Sequence, residues 1–123
     1  MEKRRNRLRL AAAAAGLVIG GAAGACEPGL EGTRLESPRF VLAFKPEAVT
    51  VAQHFAVDIA VCAKSAAKPE IVKVDAQMPE HRHGMNYAPS VTKTGPQRWR
   101  AEGLMFHMPG KWEFAFELRF DFG

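Results

Sequence analysis

Large apolar side chains occupy every second position near the C-terminus. Trp112, Phe114, Phe116, Leu118, Phe120 and Phe122 alternate with Lys111, Glu113, Ala115, Glu117, Arg119 and Asp121. A period of two places all six on one face of a strand, whereas a helix would scatter them around its axis. The same alternation runs from Phe55 to Val61, with Phe55, Val57, Ile59 and Val61 set against Ala56, Asp58 and Ala60, and predicts a half-buried strand. Segments 39–44, 71–76 and 99–107 read as further strands.

Met108-Pro109-Gly110-Lys111 separates the last two strands. Pro presets φ at the second position of a turn and Gly accepts a positive φ at the third, so a hairpin joining 99–107 to 111–122 is expected. No amphipathic helix follows residue 25. Strands and turns alone imply two antiparallel sheets packed on their apolar faces. The expected fold class is therefore all-β, an immunoglobulin-like antiparallel β-sandwich over residues 39–123, with a small barrel as its competitor.

The first 25 residues differ from the rest. Lys3, Arg4, Arg5, Arg7 and Arg9 are followed by sixteen uncharged positions, Leu10 to Ala25, that end in small side chains. Basic, then apolar, then small is the order of an export signal, so residues 1–25 are read as a signal peptide. Ala23-Gly24-Ala25 before Cys26 suits signal peptidase and also resembles a bacterial lipobox, with Ala23 in place of the usual Leu. Cleavage falls at the same bond in both cases. A lipidated Cys26 followed by a polar tether, residues 26–38, is the favoured expectation, and a Cys26–Cys62 disulfide in an oxidising compartment is the alternative.

Charge changes the picture of partners. The whole chain carries +4, yet residues 26–123 hold 12 basic and 12 acidic side chains. A body with no net positive field has little with which to hold nucleic acid. Hydrophobic residues at 47% and charged ones at 24% are ordinary globular usage, which excludes disordered and low-complexity classes. After residue 25 the length suits one small domain.

Candidate chemistry lies in two segments. Met78, His81, His83 and Met85 fall within residues 78–87, and Met105, His107 and Met108 lead into the Pro-Gly turn. Only His54 lies apart. Thioether and imidazole form a soft-to-borderline donor set that suits Cu(I), and imidazole also suits Cu(II). In extended chain His81, His83 and Met85 project to one side, as do Met105 and His107, while Leu104, Phe106 and Met108 take the opposite, core-facing side. His81, His83, Met85, Met105 and His107 are the expected copper ligands. The competing reading makes the methionines packing residues and the histidines solvated loop residues.

No HExxH helix, Gly-rich phosphate loop or nucleophile elbow is present, and Ser37, Ser65 and Ser90 have no His/Asp partners at motif spacing. A non-enzymatic role is expected.

Val74-Asp75-Ala76-Gln77-Met78-Pro79, His81-Arg82-His83-Gly84-Met85, the loop with Pro89, and Gly103 to Trp112 with the aromatic strand after it resemble the YtkA-like domain family of small exported bacterial proteins. The resemblance covers about Phe40 to Phe120. It implies an immunoglobulin-like sandwich outside the cytoplasm, sometimes attached to efflux-type adaptor proteins, and a link to copper handling. Together these readings describe a periplasmic, membrane-anchored module that binds copper for buffering or for transfer to an envelope or efflux-system protein. The alternative is an interaction module of the envelope, docking through the loop 77–97 or a sheet edge, with no role for metal.

Overall fold

The computed structural model describes residues 26–121. The expected signal peptide, residues 1–25, and Phe122 of the aromatic strand lie outside the described residues. Eight strands follow one another: β1 (Thr33–Glu36), β2 (Phe40–Pro46), β3 (His54–Ala63), β4 (Lys68–Met78), β5 (His83–Gly84), β6 (Ser90–Gly95), β7 (Arg98–Met105) and β8 (Glu113–Asp121). They form a five-stranded sheet in the order β1-β2-β3-β7-β6 and a three-stranded sheet in the order β5-β4-β8. Every pairing is antiparallel. The two sheets pack as a β-sandwich, the fold class that the alternating pattern predicts.

The core lies between the inner faces. Leu42, Val57, Ile59, Val61, Val74 and Leu104 are fully buried there, and Phe44 meets both Phe114 and Phe116 across the sheets, with ring centres 5.1 and 4.9 Å apart. Along β8 the apolar face alternates as expected, but its side chains are only half-buried, because β8 is the outermost strand of the narrower sheet.

β4 changes phase midway. Ile71 opposes Leu118 and Lys73 opposes Glu117, so Val72 is an extra residue in a bulge. The inward set therefore passes from Ile71 to Val74, Ala76 and Met78, and Val72 is left exposed.

Two expectations are corrected. β3 is buried on both faces, with Ala60 at 0% exposure, where a solvated outer face was expected. The cause is the segment read as a free tether. Cys26 is bonded to Cys62, Arg98 beside Ala60 donates to the Gly29 carbonyl, and residues 33–36 pair with β2, so the segment is fastened across the outer face. The Cys26–Cys62 bond is the arrangement named above as the alternative to a lipid on Cys26. Closing a chain separation of 36 residues stabilises the fold by roughly 4 kcal/mol in the chain-entropy account.

The hairpin between 99–107 and 111–122 does not form. β7 pairs with β3 and β6 in one sheet, and β8 pairs with β4 in the other. Residues 106–112 instead carry the chain between layers, with Phe106 stacked on Trp112 at 4.4 Å and 5°. Gly110 does take a positive φ, 140°.

The pairings give the sandwich two different ends. Phe40, Ala63, Lys68, Arg98 and Asp121 mark the end with the disulfide. At the other end His54 opposes Met105, β4 stops at Met78, and segments 47–53, 79–89 and 106–112 gather. All four histidines and the methionines at 78, 85, 105 and 108 belong to this second end.

Candidate metal centre

β5 is two residues long, and its pairing places His83 opposite Met78. Paired residues share a face, so His83 stands at the sheet edge on the side where Met78 is buried at 2% exposure. The turn that makes this possible is tight: the His81 amide donates to the Met78 carbonyl at 3.2 Å, and Arg82 adopts φ 52°.

His107 arrives from the inter-sheet crossing. Its ring centre lies 5.3 Å from that of His83 and 5.5 Å from that of Trp112, both edge-on. Trp112 is fixed in turn by its stack on Phe106 and by donation from its indole Nε1 to the Met108 carbonyl at 3.1 Å. Gly110 approaches the terminal methyl of Met78 so closely that a side chain there would overlap it. Met78, His83, His107 and Trp112 thus come from three segments to one edge.

Nδ1 of His107 is buried and has no hydrogen-bond partner among the described residues. A buried imidazole nitrogen without a partner is costly unless something binds it. Imidazole nitrogens hold first-row ions at about 2.0–2.1 Å, which sets the centres of two rings on one ion roughly 5–6 Å apart. The separation of His83 and His107 falls in that range, and their donor type suits copper.

The other expected ligands lie elsewhere. His81 is exposed in the turn and makes no ring contact among the described residues. Met85 is half-buried against the core and lines a shallow depression with Lys73, Asp75 and Tyr87. Met105 opposes His54, whose ring meets Tyr87 edge-on at 5.1 Å. β7 ends at Met105, after which the chain leaves the sheet, so strand alternation does not set where His107 lies relative to Met105.

Among the described residues no group of three or more His, Cys, Asp or Glu side chains comes together. Any metal at this edge would rest on two imidazoles and thioether. Met78 and Trp112 were not counted as site residues from sequence; the signal for Met78 was its position at a strand end, five residues before His83.

No helix among the described residues is long and apolar enough to cross a membrane. Comparison with protein-family models, with curated proteins and with solved structures found no match.

Proposed function

We propose that this is an exported, non-enzymatic protein that holds copper, Cu(I) in preference, at the His83–His107 edge and buffers it or passes it to an envelope partner. The observation that carries the reading is the pairing of these two rings at 5.3 Å from separate segments, with a buried Nδ1 of His107 left unpartnered. His83 and His107 would hold the ion, and the Met78 thioether is a soft donor on the same face, opposite His83 in the strand pairing. Cu(I) accepts low coordination by imidazole and thioether, and exchangeable neutral donors favour release to an acceptor. Export is supported by the Cys26–Cys62 bridge, which an oxidising compartment maintains, and by the signal-like order of residues 1–25.

The test is an anaerobic Cu(I) titration against a competing chelator. His83→Ala with His107→Ala should abolish binding while the β-type circular dichroism stays unchanged, and His81→Ala should bind as the parent does. Parental affinity in the double variant would refute the assignment.

A further inference from the structure

The three-stranded sheet ends at β8, a strand of nine residues (Glu113–Asp121) whose one strand partner among the described strands is β4. The other edge strands are shorter: four residues in β1, two in β5 and six in β6. β8 contains no Pro and no Lys, residues that commonly blunt such an edge. A second observation lies beside it. β8 packs over β2 through the Phe40–Phe120 and Phe44–Phe116 contacts, so the next strand position in its sheet would lie over β1. There Leu35 pairs with the core residue Leu42 and so faces inward, yet it is 43% exposed. An inward leucine that is 43% exposed and an adjoining edge with room for a strand beside residues 116–120 both call for one more strand.

We propose that the missing strand is β8 of a second copy, in antiparallel pairing centred on Leu118. A symmetric pairing keeps inner and outer faces together and opposes residues that are equidistant from its centre. Centred on Leu118, it sets Glu117 against Arg119 of the partner subunit, twice. Centred on Glu117 or on Arg119, it would set like charges against each other at the middle.

The strand behind β8 extends the match, because Lys73 opposes Glu117 and Glu70 binds Arg119 at 2.6 Å within one chain. The outer face of the joined sheet then reads Lys73, Glu117, the partner's Arg119, the partner's Glu70, alternating in sign across four strands. A pairing centred on Phe116 also opposes Arg119 to an acid, Glu113, but the strand behind that acid offers Gln77 in place of a lysine. The inner seam pairs Leu118 with itself and Phe116 with Phe120. The result is a continuous six-stranded sheet that covers Leu35 in both copies. Its two-fold axis sends the two histidine ends to opposite sides, so the dimer stands independently of the copper reading.

Sedimentation equilibrium of the purified protein tests this. The parent should sediment at twice the chain mass, and Glu117→Arg or Arg119→Glu alone should each raise the dissociation constant about tenfold or more. An equimolar mixture of the two single variants should recover a mixed dimer, because each presents to the other the charge its partner needs; recovery also requires both to be folded. Glu113→Arg should dimerise as the parent does. A monomeric parent at about 0.5 mM, single variants that dimerise normally, a mixture that stays monomeric, or loss of the dimer in Glu113→Arg in place of Glu117→Arg would each overturn the proposal.

Discussion

Gly110 lies against the terminal methyl of Met78, at a point where the chain crosses from one sheet to the other and takes φ 140°. Both facts disfavour a side chain. The left-handed half of backbone space is open to Gly without the clash that other residues meet, and Met78 is enclosed at 2% exposure with little room to withdraw. Gly110→Ala should destabilise the fold by about 1–3 kcal/mol, read as a lower urea midpoint at unchanged slope. It should also weaken Cu(I) binding by displacing the Met78 thioether. A variant as stable as the parent would mean that this crossing is not packed as described.

Trp112 offers a local reporter. Its ring meets His107 at 5.5 Å, whereas the other tryptophan, Trp99, is buried in β7 opposite Ile59. Copper bound at His83 and His107 should change the Trp112 emission and leave Trp99 nearly untouched. Trp112→Phe should therefore abolish the fluorescence response while chelator competition still detects binding. A response that persists in this variant would place the ion near Trp99 and away from the histidine edge.

The cysteine pair makes a separate prediction. With Cys26 bonded to Cys62, the intact mass of the processed chain should be one pair of hydrogens below that of the dithiol, and no diacylglyceryl adduct should be found on Cys26. Cys62→Ser should cost roughly 3–4 kcal/mol of stability. It should also free the N-terminal segment, so limited proteolysis would cut near Gly29 and Gly32 in the variant before it cuts the parent. Lipid on Cys26 would overturn the bridge.

The fold was legible where a local pattern and its tertiary setting agree. Phe114, Phe116, Leu118 and Phe120 alternate as read, because β8 has one face on the core and one in water. Ala60 was misread because its cover comes from a segment joined through Cys26, a contact between residues far apart in the chain. Pro109 and Gly110 announce a reversal, but a turn signal is local and cannot say whether the next strand rejoins the same sheet. The candidate site was legible in part. His83 and His107 are singled out by donor type and meet; the strand parity that joins Met105 to His107 runs past the end of β7 at Met105, and His54 acquires its neighbours Met105 and Tyr87 only through pairing.

Acid should loosen the disulfide end first. Glu36 in β1 accepts from the Lys64 ammonium at 2.7 Å, and this hydrogen bond and charge hold its carboxyl below the ordinary value of 4.5. A carboxyl whose value is lowered on folding stabilises the protein above its unfolded-state value, and that contribution disappears as pH falls through the folded-state value. The window therefore opens near pH 4.5 and extends below it. Both groups reach solvent, so salt should screen the effect. Glu36→Gln should lower the unfolding midpoint modestly at neutral pH and converge with the parent in acid, which flattens the acid limb, with the neutral-pH difference shrinking at about 1 M salt, where the screening length falls to about 3 Å. An acid limb identical to that of the parent at low salt would show that the Lys64–Glu36 pair does not fasten β1 to the end of β3.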